Sequence, residues 1–310
     1  MMRYYVKRSQ GEDFSEVKAP SEAVKLVSVE GATPDDLYDL SSVYRLDPAI
    51  LDDVLDRSEL PRVEYSDGIE YVFLRSVRPT KRGGVETSPV LMAISDSHFF
   101  FIARGDIDVP VPQIARHVKL EKDSSIGLLL GTFAAIISQY EERITHTDQL
   151  IVDTGHRLKS REVVNRDFIY FVTVEENLNQ YQINLEAMQG VLSRLRSNQR
   201  NLFEDSDIEF IDDILLHVKQ LSVGVESSFK RVESIRNAYS TIANNNLNER
   251  MKMLTALTVL VALPNVFYGM YGMNLSLPFA DQPWAYGAVV GFTIVLILIV
   301  YMLARRFKVF

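Results

Sequence analysis

The chain has 310 residues, no cysteine and a formal net charge of -8. The lack of cysteine excludes disulfides, thiolate metal sites and cysteine nucleophiles, and the acidic balance argues against nucleic acid as a partner. The mean hydropathy is near zero, but this average combines a charged region, which extends to about Arg250, with an apolar tail.

Residues 1–123 are predicted to form a cytoplasmic domain of mixed α and β structure. Four β-branched or aromatic runs bounded by turn residues indicate strands at 24–29, 69–74, 90–94 and 98–102. Thr33 and Asp47, each followed by proline, are typical of capped helix starts. A compact sheet with short helices is therefore expected.

Residues 124–250 are predicted to be long coiled-coil helices that form a stalk. Seven apolar residues alternate steps of four and three, which is the pattern of a coiled-coil seam; they are Val174, Leu178, Tyr181, Leu185, Met188, Leu192 and Leu195. Ser206 and Glu209 fit a capping box. The next proline is Pro264, so one helix is expected from about Asp207 to about Tyr271.

Two apolar stretches close the sequence, and each is long enough to cross a bilayer. The predicted spans are residues 251–273 and 283–304, joined by an extracytoplasmic loop at 274–282 and followed by a basic tail at 305–310. Arg250 and Lys252 lie at the start of the first span, and Arg305 and Arg306 follow the second. Because basic flanks favour the cytoplasmic side, both termini are expected there, in a protein of the cell (plasma or inner) membrane.

The heptad phase, carried through the first span, puts small and polar residues on one stripe. The stripe comprises Asn248, Met251, Thr255, Thr258, Ala262, Asn265, Gly269 and Gly272, and the lipid side comprises Leu257, Leu260, Val261, Val266 and Phe267. Two interpretations are open, a small-residue packing seam and a water-filled conduction path. The asparagines and threonines favour the path, because neutral oxygens can hold hydrated Mg²⁺ without trapping it.

Met251 and Leu254 are the bulky apolar side chains near the cytoplasmic end of this stripe. They are predicted to narrow the path to a hydrophobic constriction that gates by dewetting.

The run Tyr271-Gly272-Met273-Asn274 ends the first of two C-terminal spans, with Pro264 and residues 248–252 before it. In this position it resembles the signature of the CorA family of magnesium channels and transporters. The resemblance implies an α+β homopentamer with a cytoplasmic funnel, a pore lined by the first spans, and Mg²⁺ as the transported ion, without ATP or an organic cofactor. It also implies that Gly272 and Asn274 form the outer selectivity ring. A helix C-cap with positive φ is the plain alternative for both residues.

The outer loop departs from the family pattern, because Leu277-Pro278-Phe279 stands where Met-Pro-Glu is common. Asp281 is then the one carboxylate available to attract cations, although an exposed loop Asp is more often a turn residue.

The regulatory site also departs from the pattern. The resemblance places Asp213, beside Asp212, at a position where Mg²⁺ regulates relatives from the cytoplasm. The hairpin loop that would supply the partner, residues 78–84, is basic here. There are three alternatives to Mg²⁺ binding between Asp213 and this loop: a salt bridge from the loop to Asp213, sensing by other carboxylates, and simple stabilisation of a helix N-terminus by the acidic residues. The last is favoured.

Other functions fit less well. The five histidines show no metal-ligand spacing and no nucleophile motif is present, so an enzyme is not expected. A membrane-anchored coiled-coil adaptor predicts plain apolar anchors, which the polar stripe contradicts. A transporter of Co²⁺, Ni²⁺ or Zn²⁺ remains the main alternative to one of Mg²⁺, although oxygen ligands suit the harder ion.

Overall fold

The computed structural model describes residues 2–6, 14–18, 24–81, 83–95, 97–105, 107, 125–158, 165–273 and 282–306. The chain divides into two compact units, Met1–Ser234 and Ile235–Phe310.

A seven-stranded sheet organises the first unit. Its strands are β1 (Met2–Val6), β2 (Ser15–Val17), β3 (Val24–Glu30), β4 (Arg62–Ser66), β5 (Ile69–Pro79), β6 (Val85–Ile94) and β7 (Phe99–Ala103). Their order is β2-β1-β3-β7-β6-β5-β4, and the β3–β7 pair is parallel while the other pairs are antiparallel. The four predicted strands are confirmed, whereas the sequence did not indicate β1, β2 and β4.

Two short helices, α1 (Pro34–Tyr44) and α2 (Pro48–Asp52), cover one face of the sheet. Both predicted caps are present: the Thr33 hydroxyl accepts from the Asp36 N–H at 3.3 Å, and the Asp47 carboxylate accepts from the Ala49 N–H at 3.0 Å. The helices close a core with alternate residues of the strands; it includes Leu37, Leu40, Leu51, Val27, Tyr71, Phe73 and Phe100. This packing confirms the predicted sheet domain.

Two long helices, α3 (Ser125–Leu158) and α4 (Asn165–Arg196), pack on the sheet from β4 to β7. All seven residues of the predicted seam on α4, from Val174 to Leu195, are buried. Glu70 on β5 forms an ion pair with Arg200, which follows the end of α4. This ion pair joins the sheet to the C-terminal end of α4. The Arg200 guanidinium also lies 3.6 Å from the centre of the Tyr65 ring.

Helix α5 (Asp205–Tyr271) has 67 residues, which confirms the single long helix predicted from the sequence. Its start was predicted about two residues too late. The helix begins before Ser206, and the Asp207 carboxylate accepts from the Glu204 N–H at 3.0 Å. Within the first unit its contacts reach both neighbouring helices: Arg231 pairs with Asp148 of α3 at 2.6 Å, and Ser222 accepts from Gln189 of α4 at 2.9 Å.

Helix α6 (Ala285–Arg306) is the second apolar helix of the chain. The apolar part of α5 and α6 are each long enough to span a membrane, and both apolar segments are almost wholly exposed in the single chain. Exposure of this kind is typical of a lipid-facing or partner-facing surface rather than of a soluble core helix.

Candidate ion pathway

One side of the membrane part of α5 packs on α6. The residues that are half-buried there recur at steps of three and four; they are Ala256, Leu260, Leu263, Pro264 and Phe267. The Phe267 and Phe292 rings meet edge to face with their centres 5.2 Å apart. Leu260 and Phe267 were predicted to face lipid, and that prediction is wrong because both lie on the side toward α6. Leu257, Val261 and Val266 are exposed as predicted.

The mean direction of the predicted polar stripe is opposite to this packing face, although Asn248, Met251 and Thr255 at its cytoplasmic end also line a cleft beside α6. At 100° per residue, the mean direction of the stripe differs from that of the packed residues by roughly 170°. Every predicted pore-lining residue is exposed in the single chain; the set is Asn248, Met251, Leu254, Thr255, Thr258, Ala262, Asn265 and Gly269. The stripe is therefore free to face other copies of the chain or water.

The two threonines of the stripe hold their hydroxyls in one orientation. Thr255 donates to the Met251 carbonyl and Thr258 to the Leu254 carbonyl, both at 2.9 Å. Each hydroxyl hydrogen is thus used within the helix, while the oxygen keeps lone pairs that can accept from water. This arrangement suits contact with the water shell of a hydrated cation, because shell waters point their hydrogens outward.

A cleft of 780 Å³ adjoins the cytoplasmic end of the stripe, between α5 and α6. Asn248, Met251 and Thr255 contribute to it from the stripe, and Val300 and Leu303 from α6. Asn245, Glu249 and Lys252 also line it, although the sequence did not single them out as site residues. The sequence carries no signal for these three residues, because their place in the cleft depends on where α6 packs on α5.

Helix α5 ends at the signature. The Gly272 N–H donates to the Tyr268 carbonyl at 3.0 Å, and the Met273 N–H to the Met270 carbonyl at 3.3 Å. Gly272 lies directly after the last helical residue, as the C-cap alternative requires, but it does not adopt the positive φ that this alternative predicted. Tyr271 is the last helical residue, and its side chain is outside the described part. Asn274 and Asp281 also lie outside the described residues.

The two candidate regulatory carboxylates differ in their surroundings. Asp212 pairs with Arg196 at 2.5 Å, whereas Asp213 is exposed and has no ion pair within the described part of the chain. Both lie beyond the second turn of α5, too far from its start for the dipole explanation, which fades after the first turn. Among the described residues, no three acidic or histidine side chains converge to hold a metal.

The basic hairpin loop is held by its own side of the sheet. Arg78 pairs with Glu86 on the neighbouring strand at 3.3 Å. Asn177 of α4 fastens the turn, because its amide accepts from the Val85 N–H at 2.9 Å and donates to the Gly83 carbonyl at 3.2 Å. Within one chain, Arg78 therefore has an acidic partner on the neighbouring strand.

Comparison with known proteins places the whole chain beside one family. The family model described as CorA-like Mg2+ transporter protein matches residues 21–306. The chain is 22% identical over 318 residues to the cobalt/magnesium transport protein CorA of Thermotoga maritima, covering 95% of this chain and 89% of the relative. It is 23% identical over 302 residues to the protein of that description from Methanocaldococcus jannaschii, covering 92% of each.

The fold agrees with these matches. The complete structure of the CorA magnesium transporter from Methanocaldococcus jannaschii superposes with a TM-score of 0.83 at 19% identity, over 99% of this chain and 98% of that one. This likeness confirms the predicted architecture of an N-terminal sheet domain, long helices and two C-terminal apolar helices.

Proposed function

This chain belongs to the family of CorA-like Mg²⁺ transporter proteins, and we propose that it carries Mg²⁺ into the cytoplasm through a pore at the centre of five copies. Members of this family transport divalent cations and are not enzymes. The chain is accordingly an integral membrane protein with two C-terminal spans. The ion, the number of copies and the residues of the pore are the proposal.

The observation that carries the proposal is the position of the polar stripe. An uncharged line of amides and hydroxyls is exposed on α5, and the second span packs on the other side of the same helix. Polar groups are costly against lipid, so such a line is expected to face protein or water. Five parallel copies with the stripe turned inward give the first spans a polar axis and leave α6 on the outside.

Hydrated Mg²⁺ suits this axis. Mg²⁺ gives up its water reluctantly and prefers oxygen ligands, so neutral oxygens that contact its water shell can pass it along without trapping it. Asn265, Thr258 and Thr255 supply such oxygens at successive levels of the span, and Asn248 supplies them at the inner end. Met251 and Leu254, which are both more than half exposed, narrow the path between Thr255 and Asn248.

The entrance is assigned to Gly272 and Asn274. In the proposed pentamer five Asn274 amides form a ring that meets the water shell of the arriving ion, flanked by Tyr271 and Met273, and Asp281 adds negative charge in the outer loop. The basic flanks Lys252 and Arg305 place both termini in the cytoplasm. Inward movement of a divalent ion across 100 mV then releases about 4.6 kcal/mol, which is twice the value for a single charge.

Co²⁺ is the second candidate ion, because the two relatives of known description are cobalt/magnesium transport proteins. The oxygen ligands favour Mg²⁺, but a pore that contacts the ion through its water shell discriminates weakly between ions of similar size and charge. Ni²⁺ and Zn²⁺ are further candidate ions for the same reason.

The test is ion uptake by proteoliposomes that contain the purified full-length chain. Uptake of Mg²⁺, Co²⁺, Ni²⁺ and Zn²⁺ is compared between the wild type and Asn274→Ala, with Ser276→Ala as the control in the same loop. We expect Asn274→Ala to lower Mg²⁺ uptake and the preference for Mg²⁺ by about tenfold, which corresponds to about 1.4 kcal/mol, and Ser276→Ala to behave as the wild type.

Two results would count against the proposal. Equal uptake by Asn274→Ala and the wild type would overturn the entrance ring. A native mass other than five times the 35.3 kDa of the chain, with uptake intact, would overturn the pentamer while leaving transport in place.

A further inference from the structure

The cleft between α5 and α6 combines a charged rim with an apolar wall. Its rim is defined here as Asn245, Glu249 and Lys252, which are all exposed. Its wall on the membrane side is apolar and comes from both helices; it comprises Ala256, Val259, Leu260, Val300 and Leu303. The volume of 780 Å³ lies within the range of about 300–1,000 Å³ that is typical of sites for small molecules. The proposed ion pathway does not use the charged rim.

The rim faces α6 rather than the polar stripe. At 100° per residue, the mean direction of the three rim residues lies within about 40° of the α5 residues that pack on α6. The same direction is about 125° from the mean direction of the stripe. If the stripe faces the axis of an assembly, the rim is therefore turned away from that axis, toward the surrounding membrane.

The two charges of the rim follow each other in a defined order along the membrane normal. Lys252 is the last charged residue before a stretch that has none until Asp281, so it lies at the surface of the membrane. Glu249 precedes it by three residues, about 4.5 Å at 1.5 Å per residue, and lies farther out in water. A positive charge is thus at the level of the lipid phosphates, and a negative charge is just outside it.

This order is complementary to an ethanolamine headgroup. In phosphatidylethanolamine the phosphate adjoins the acyl chains, and the ammonium group lies two carbon atoms farther from the membrane. The Lys252 ammonium can donate to the phosphate oxygens, and the Glu249 carboxylate can accept from the N–H groups of the lipid. The two rim charges sum to zero, which suits a zwitterionic headgroup better than one with a net negative charge. A choline headgroup has no N–H to donate.

Both rim charges are available for such a ligand. Glu and Lys three residues apart on a helix surface can form an ion pair with each other. In the described part of the chain, however, neither Glu249 nor Lys252 takes part in an ion pair. A lipid headgroup can therefore bind both charges without first breaking a contact within the chain.

We propose that the cleft binds one phosphatidylethanolamine molecule of the cytoplasmic leaflet. The phosphate contacts Lys252, the ammonium group contacts Glu249 and the Asn245 amide oxygen, and an acyl chain lies along the apolar wall between α5 and α6. The site requires that both helices span the bilayer, but it does not depend on which ion the protein carries or on how many copies surround the pore.

Lipid binding to the purified full-length chain in detergent tests the site. Native mass spectrometry gives the affinities for phosphatidylethanolamine, phosphatidylcholine and phosphatidylglycerol with identical acyl chains. We expect the wild type to bind phosphatidylethanolamine about tenfold more tightly than phosphatidylcholine. Glu249→Gln should remove this preference, and Lys252→Gln should weaken the binding of all three lipids by about tenfold. Arg250→Gln is the matched control, because Arg250 lies about 130° from the rim around the helix, and it should bind lipid as the wild type does.

A variant of the apolar wall separates a lipid from a second copy of the chain as the occupant. Val300→Trp places an indole ring in the cleft, and it should lower the affinity for all three lipids by several-fold without changing the native mass. If Val300→Trp instead lowered the native mass and left lipid binding unchanged, the cleft would be a contact between copies and the proposal would be overturned.

Two further results would overturn the headgroup assignment. One is equal affinity of the wild type for phosphatidylethanolamine and phosphatidylcholine, and the other is a Glu249→Gln variant that keeps the preference. If Glu249→Gln fails to assemble, N-methylated and N,N-dimethylated phosphatidylethanolamine are compared on the wild type. The affinity should fall as N–H groups are replaced by methyl groups, and a constant affinity along this series would refute the contact with Glu249.

Discussion

In the first unit, Met1–Ser234, several of the buried polar groups have partners within the same chain; in the second, Ile235–Phe310, a line of polar groups is exposed. Glu70 meets Arg200 and the Tyr71 hydroxyl accepts from the Asp47 N–H at 2.9 Å, whereas Thr258 and Asn265 are exposed in a segment of membrane length. Packing within one chain accounts for the first unit. In the second unit, the proposed partners of the exposed line of polar groups are other copies of the chain and the transported ion.

Removal of a large core side chain from the first unit should give the largest loss of stability. Phe73 is completely buried in the cluster between the sheet, α1 and α2. Phe73→Ala is expected to lower the free energy of unfolding by about 3–5 kcal/mol, because the side chain leaves a cavity that the sheet cannot refill. Denaturant unfolding of the full-length chain in detergent, followed by circular dichroism, measures the change.

Thr258→Val is the contrasting control from the second unit. Its hydroxyl bonds to its own helix, so the variant should unfold within about 0.5 kcal/mol of the wild type. If Thr258→Val were as destabilised as Phe73→Ala, the contrast between the two units would be wrong.

The ion pair between buried Glu70 and Arg200, whose side chain is 36% exposed, predicts a smaller, pH-dependent effect. Burial raises the pKa of the Glu70 carboxyl, and the charge of Arg200 opposes that rise. Arg200→Ala leaves the carboxylate buried without this partner and should cost about 2–3 kcal/mol at pH 7. A carboxyl whose pKa is raised by folding stabilises the fold at low pH and loses that contribution as the pH rises through the folded pKa.

The deficit of Arg200→Ala should therefore shrink as the pH falls toward about 4.3, the usual pKa of glutamate. Unfolding free energies of the wild type and the variant at pH 7 and pH 5 give the comparison. Adding Glu70→Gln to Arg200→Ala removes the titrating group, and this double variant should show no such pH dependence. A deficit that is equal at both pH values would refute the role assigned to Glu70.

The hairpin that joins β5 and β6 offers a local test, in which the expected loss of stability is about 1–2 kcal/mol. Asn177→Ala removes the two hydrogen bonds that hold the turn to α4, and faster amide exchange is expected at Gly83 and Val85. Asn184 is the matched control, because within the described residues its amide nitrogen bonds to the Gln180 carbonyl of its own helix and its oxygen has no partner. Faster exchange of the turn in Asn184→Ala as well would show that the effect is not specific to Asn177.

Sequence patterns predicted the elements whose buried residues follow a regular period or form a continuous run. The seam of α4 and the strand at 69–74 are of this kind, and both are buried. Strand β4 was missed because it lies at the edge of the sheet, where charged residues such as Arg62 and Glu64 are tolerated. Its sequence therefore lacks the apolar run that is typical of an inner strand. Leu260 and Phe267 were assigned to lipid because the heptad phase locates the polar side of a helix but not the direction from which α6 returns.

The smallest effect on stability is expected at Asp213. This residue also tests whether an exposed group in the first unit binds an ion together with another copy of the chain. Asp212 already has a partner in Arg196, whereas Asp213 is exposed. Asp213→Ala should leave unfolding within about 0.5 kcal/mol of the wild type. If Asp213 binds cytoplasmic Mg²⁺ with a neighbouring copy, the same change should raise the Mg²⁺ concentration for half-closure by about fivefold or more.

Currents recorded across millimolar cytoplasmic Mg²⁺ give the measurement, and Asp212→Ala is the matched control with its inhibition curve unchanged. The basic loop at 78–84 supplies no carboxylate to share such an ion, so the second ligand must come from another acidic residue. Identical inhibition curves for Asp213→Ala and the wild type would mean that the exposed carboxylate has no sensing role. The polar groups proposed to act together with other copies of the chain would then all lie in the second unit.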